Sequence, residues 1–197
     1  MIDQAKSSET IPIGNGSNRD TTPKYEIIQV PDIGIPKREA LLQQCYDLRI
    51  QVFTHEQGFP LETELDEYDT HPSTVHFLMR LLPSEEPVGT IRAVRLPEYY
   101  KLTRLVVAKP YRKYRLGRSL VLALHEYVVQ DARERGATPG STITCVSSSQ
   151  IPVKNFYARY GYEPEGDEYD DEGQPHQKMV AKLRIPYEPS AATSMNP

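Results

Sequence analysis

The chain is short of several things, and each shortage closes a class of function. It has only two cysteines, Cys45 and Cys145, in unlike contexts. No CxxC pair and no Cys/His zinc spacing is present, so neither a disulfide scaffold nor a bound metal is expected. No apolar run approaches the roughly 18 residues a membrane span requires. Nothing near the start resembles a basic stretch followed by an apolar one. A membrane partner is therefore not expected, and a reducing compartment is: cytoplasmic, with the nucleus left open. Positive charge is also in short supply overall, 23 Lys plus Arg against 27 Asp plus Glu. That balance argues against a nucleic-acid partner, which calls for a basic face. No internal repeat, no GxxxxGK[ST] loop and no GxGxxG loop occurs.

What is present suits one domain. The 197 residues are enough to bury a real core. Residues 1–22 are rich in Ser, Thr, Gly and Asn and read as a disordered tail; 187–197 read as a flexible one. A single domain is expected over 23–186. Within it, strand patterns cover 24–30, 73–82, 88–96, 101–108, 141–146 and 178–185. Helical patterns cover 37–53, 116–135 and 153–160. Leu116, Leu120, Leu124, Val128 and Ala132 form an i, i+4 stripe, and Gly136 and Gly161 stand where C-terminal glycine caps belong. The order β-α-β-β-β-α-β-α-β predicts a layered α/β domain on a mixed sheet.

Against the acidic background, "PYRKYRLGRSLVLAL" (110–124) concentrates Arg112, Lys113, Arg115 and Arg118 around Gly117, between a strand and the clearest helix. The first turn of a helix has unpaired N–H groups and the positive end of the dipole, so an anion docks there and arginines add charge-assisted bonds. The turn reads as a pyrophosphate site or as a solvated basic turn.

The segment resembles the coenzyme A motif (Q/R)xxGx(G/A) of GNAT-superfamily N-acetyltransferases. Arg112 opens it, Gly117 is its second glycine, and Arg115 stands where the first glycine usually is. "TRLVV" resembles the family's cofactor strand, and "NFYARYGY" (155–162) its N…FYxxxGF segment. "LRIQVFTHEQGFP", then "ELDEYD" and His76, and later "DEGQPHQKM" resemble the signatures of the ElaA-like branch. The likeness covers about 40–185.

The resemblance implies a mixed, mostly antiparallel central sheet with helices on both faces and a splayed pair of parallel strands. It implies acetyl-CoA as cosubstrate and an amine as acceptor. The cofactor is expected along Leu105, Val106 and Val107 and at the turn formed by Arg112, Lys113, Tyr114, Arg115, Leu116, Gly117, Arg118 and Ser119. A backbone N–H near Val107 is the expected oxyanion donor, a kind of group often worth about 3–4 kcal/mol. Asn155 either bonds the pantetheine arm or caps the local turn. Tyr157 is the candidate general acid for the leaving thiolate, a phenol being well matched to a thiol, or else a core tyrosine. An amine must also lose a proton. Glu56, His176 and His76 are the candidate bases, and the residues leave the choice open.

Two acidic runs, "ETELDEYD" (62–69) and "EPEGDEYDDE" (163–172), hold nearly half the chain's acids. They read as solvated loops, or as a negative rim that gathers a cationic amine. Three functions remain open: acetylation of a small cationic amine such as an amino sugar or polyamine, acetylation of protein lysines or N-termini, and a non-catalytic acyl-CoA sensor. Monomer and homodimer are both open.

Overall fold

The computed structural model describes residues 22–171 and 173–187. The two tails expected from composition lie outside them, apart from residues 22 and 187. Eight strands form one sheet: β1 (Tyr25–Gln29), β2 (Thr74–Leu81), β3 (Pro87–Arg95), β4 (Tyr100–Val107), β5 (Thr142–Gln150), β6 (Glu163–Pro164), β7 (Tyr169–Asp171) and β8 (Gln174–Arg184). The order is β1-β2-β3-β4-β5-β8-β6, with β7 also beside β8. Every described pairing is antiparallel except β4 with β5.

The sheet is apolar on both faces, and each face is covered by one long helix. Helix α2 (Leu116–Glu134) buries Leu116, Leu120, Leu124, Val128 and Ala132, the stripe read from the sequence, against Phe77, Met79, Ile91 and Leu102. Gly136 follows it at φ 89°, a conformation that costs glycine nothing. Helix α1 (Arg38–Arg49) covers the opposite face with Leu42, Cys45 and Leu48, packed on Leu78 and Val106. The expected helix over 37–53 is divided: after Arg49 it continues as a π-helical turn, Ile50–Glu56, which buries Val52. A short helix α3 (Lys154–Ala158) follows β5. Strand β8 starts four residues before the position expected, and β6 and β7 were not expected at all. Both are too short, at two and three residues, to give a periodic signal.

One irregularity positions the site. Opposite the single residue Ile91 of β3, strand β4 carries two, Arg104 and Leu105. Arg104 adopts φ 54°, unusual for a side chain of any size. Such a bulge bends a strand and shifts its alternation by one residue. Before it, Tyr100 and Leu102 face α2; after it, Val106 faces α1 while Leu105 and Val107 turn to α2. Pairing with β5 covers only Tyr100–Leu102 against Cys145–Ser147. Beyond Leu102 and Ser147 the two strands part.

Candidate active site

The parting strands open a cleft of about 640 Å³. Its walls include Leu105 and Val107 of β4, Ser147 and Ser148 of β5, Tyr157 of α3 and His176 of β8. The N–H of Ala108 bonds Val88 O on β3. Strand alternation therefore turns the backbone N–H and C=O of Val107 into the gap. Its carbonyl accepts from Arg112 Nε at 2.9 Å. Parallel strands that part in this way leave backbone donors and acceptors unpaired, which suits an extended arm carrying amides.

At the upper end lies the basic turn. A 3₁₀ turn, Lys109–Tyr114, hands over to α2 through Arg115 at φ 58°, ψ 27°. This left-handed position is where glycine would be the easy choice. Arg115 tolerates it, and its exposed side chain forms part of the cleft wall. No side chain caps the start of α2. Gly117 also lines the cleft, and a Cβ there would meet Phe156 at 3.4 Å and Val107 at 3.8 Å. Those are ordinary contacts, so packing alone does not demand the glycine. The N–H groups of Leu116 and Gly117, which no side chain caps, the Arg115 guanidinium and an open approach fit a pyrophosphate. Arg112, Arg115, Gly117 and Tyr157 thus meet in one cleft. Val106 faces α1, Leu116 is core, and Lys113, Tyr114, Arg118, Ser119 and Asn155 are not on the wall.

Arg115→Gly isolates the anion contact. Relief of left-handed strain, about 1 kcal/mol, is offset by the greater freedom of glycine in the unfolded chain. The melting temperature is expected to stay within about 2 °C of wild type. Acetyl-CoA affinity, measured by calorimetry, is expected to fall roughly fivefold, the worth of one exposed charge contact. Equal affinity would remove Arg115 from the cofactor site.

The three candidate bases differ sharply in environment. Glu56 ends the π-helical turn and is gripped by Arg112: Nη1 bonds Oε1, and Nη2 bonds Oε2 at 2.9 Å. That bond holds its carboxyl below the usual range, which weakens it as a base. His76 is 1% exposed and off the cleft wall. Its Nε2 lies 3.1 Å from Asp69 O, and burial lowers its pKa to about 4. His176 is buried on the wall, and its Nδ1 lies 2.9 Å from Gln174 O. A carbonyl can only accept, so Nδ1 is the donor, and Nε2 is the ring nitrogen at which a proton can be taken up. Tyr169 stacks on this ring at 6.2 Å and bonds Ser148 Oγ at 2.5 Å.

The acidic run 62–69 is divided: Glu62 and Glu67 are exposed, whereas Glu64, Asp66 and Asp69 are held by arginines. Glu64 and Asp69 are each 3% exposed. Arg49, fully buried, bonds Glu64 Oε1 at 2.5 Å and Asp69 Oδ1 at 2.6 Å. Arg92 bonds Asp66 and Asp69 at 2.7 Å, and Arg104 reaches Asp66 at 3.3 Å and Thr63 O at 2.8 Å. Three acids and three arginines are thus matched, four of them (Glu64, Asp66, Arg92 and Arg104) on the cleft wall itself, and the cluster anchors the bulged residue Arg104. The described residues of the second run are exposed, and Asp171 among them reaches the cleft wall.

The same cleft contains residues for which no role was expected, although Phe53, Gln57 and Phe59 lie within the "LRIQVFTHEQGFP" signature. Phe53, Gln57 and Phe59 come from the chain after α1, and Ser147 and Ser148 from β5. Ser147 and Ser148 stand in an ordinary strand context, and the parting of β4 from β5, which leaves no periodic signal, brings them to the gap.

Comparison with known proteins agrees with this geometry. A family model described as "Acetyltransferase (GNAT) domain" matches residues 42–183. YyaT of Bacillus subtilis, itself described as uncharacterized, is 32% identical over 145 residues, covering 74% of this chain and 91% of YyaT. YjcF of the same organism, described as an uncharacterized N-acetyltransferase, is 30% identical over 147 residues, covering 74% and 96%. The crystal structure of Escherichia coli ElaA superposes with a TM-score of 0.63 at 21% identity, covering 81% of this chain and 99% of that one; the likeness is one of fold.

Proposed function

Since the chain belongs to the GNAT acetyltransferase family and is an N-acetyltransferase, we propose that it transfers the acetyl group of acetyl-CoA to a primary amine by direct attack in a ternary complex. The observation that carries this reading is the fork. Parallel pairing stops at Leu102 and Ser147, a basic helix start lies at one end of the gap, and Tyr157 and His176 stand on its walls. Acetyl-CoA, when bound, supplies the activated acyl group.

Each residue has a task suited to its surroundings. The Val107 N–H donates to the oxygen on which negative charge develops. Arg115 and the first turn of α2 hold the pyrophosphate. Arg112, tied to Val107 O and Glu56, braces the strand against the turn. His176 Nε2 takes the surplus proton of the amine, directly or through one water. Tyr157 supplies a proton to the departing sulfur.

The acceptor is a small cationic amine, an amino sugar or a polyamine. Asp171 and Glu67 support this, as acids on the cleft wall that no arginine is shown to neutralise. Glu64, Asp66 and Asp69 do not, because Arg49, Arg92 and Arg104 already balance them. The test is a panel of amines scored by release of free CoA thiol. Spermidine or glucosamine is expected to react with a kcat/KM that falls as salt is raised. Turnover of lysine peptides alone would replace this reading with protein acetylation. Thiol release that no amine stimulates would leave only a binding protein.

A further inference from the structure

Ser147 sits at the vertex of the fork, the last residue of β5 paired with β4. It is 0% exposed, yet it belongs to the cleft wall. Its hydroxyl makes no well-formed hydrogen bond among the described residues, although it stands near enough to the Tyr157 phenol to lower that group's pKa. A buried hydroxyl without a partner is destabilising, and native proteins rarely keep one without a use for it. Its neighbours on the same side of β5 are spent on packing: Cys145 receives the Tyr162 O–H at 3.1 Å, and Ser149 bonds the Gln150 carbonyl at 3.0 Å. Ser147 alone is left over, and it shares the cleft wall with Tyr157.

We propose that Ser147 is a positioning residue whose O–H donates to Tyr157 Oη while the phenol gives up its proton. The inference rests on the reading of Tyr157 as the general acid. In the step concerned, the amine nitrogen forms its bond to the acetyl carbon and the C–S bond breaks. The sulfur keeps the electron pair and takes the phenolic proton; the amine's surplus proton goes to His176. Tyr157 is then briefly a phenolate in a dry site. Burial raises the phenol's pKa, making it a reluctant donor, and Ser147 acts in the opposite direction. Without that hydroxyl, the phenolate would have to form with no donor beside it.

The experiment is a double-mutant cycle with Ser147→Ala and Tyr157→Phe, read by kcat, by acetyl-CoA affinity from calorimetry and by melting temperature. Ser147→Ala is expected to lower kcat about three- to tenfold. Acetyl-CoA affinity should stay within about twofold. The cofactor-free protein should melt at the same or a higher temperature, because an unpartnered hydroxyl gives way to a methyl. In the Tyr157→Phe background the same substitution should change kcat less than about twofold. Unchanged kcat in the single variant overturns the proposal. So does an equal loss in both backgrounds, or a drop in melting temperature, which would make Ser147 a structural residue. If Tyr157→Phe itself keeps full kcat, the general-acid reading falls first, and the two failures are told apart.

Discussion

Tyr157→Phe is expected to lower kcat by about 10²–10⁴-fold, the usual contribution of a general acid. Acetyl-CoA affinity and melting temperature should remain near wild type, since the ring keeps its packing. Tyr157 is 8% exposed and lines the cleft, held edge-on by Phe156 at 5.3 Å and Tyr162 at 5.7 Å. Burial raises its pKa, so the phenol stays protonated at neutral pH. Thiolate release in a dry site depends on that proton, so the loss should appear in kcat and kcat/KM together. A variant with full kcat removes the residue from the mechanism. A variant that merely melts early returns it to the core.

Arg49→Met should cost about 3–5 kcal/mol, lowering the melting temperature by on the order of 10 °C. The guanidinium bonds the Glu64 carboxylate and backbone carbonyl and grips Asp69 twice, with no access to water. Without it, two buried carboxylates share Arg92 and the more distant Arg104, whose Nε is 3.6 Å from Glu64. Arg49→Lys keeps the charge but not the fork of donors and should fall between. A loss under 2 °C for the Met variant would mean the cluster relaxes freely. The same cluster sets a pH dependence. His76 is held neutral by burial, with its pKa lowered to about 4, while in the unfolded chain it titrates near 6.5. Between these values the unfolded chain binds a proton that the folded one refuses, so stability falls as pH drops from about 6.5 to 4, by on the order of 3 kcal/mol. Asp69 acts lower. Burial opposes its ionisation, but Arg49 and Arg92 outweigh it and hold its pKa well below the ordinary value. Its contribution is present above about 4 and fades as the pH falls further. His76→Gln should remove the upper part of this decline and leave the lower part, as thermal melts across pH would show.

The long elements were legible because burial on one face writes a period into the chain. The stripe from Leu116 to Ala132 and the glycines Gly136 and Gly161 told where α2 and α3 end. The basic turn was legible because local charge density contradicts the chain's acidic balance. The ion cluster was not. Glu64, Asp66 and Asp69 look like a loop in one dimension, since a list of charges says nothing about arginines contributed by α1, β3 and β4. Nor was the cluster of Ser148, Tyr169 and His176, which meets because β7 and β8 pair in one register. The preference of His176 over Glu56 needed the carbonyl of Gln174 and the grip of Arg112, neither of which leaves a mark on composition.

The bulge at Arg104 also matters to anyone altering this chain. Strand β4 is two short strands laid end to end with opposite phase, Tyr100–Thr103 and Leu105–Val107, joined by a residue counted in neither. A substitution library that treats it as one continuous pleat would group Val106 with Tyr100 and Leu102 on the α2 face, although it packs against α1, and would place Leu105 on the α1 face, although it lines the cleft. Deleting one residue there would restore a regular ladder and let β4 run on beside β5. The chain could keep both cores and still lose the gap, because the opening is encoded in a residue count and not in any one side chain.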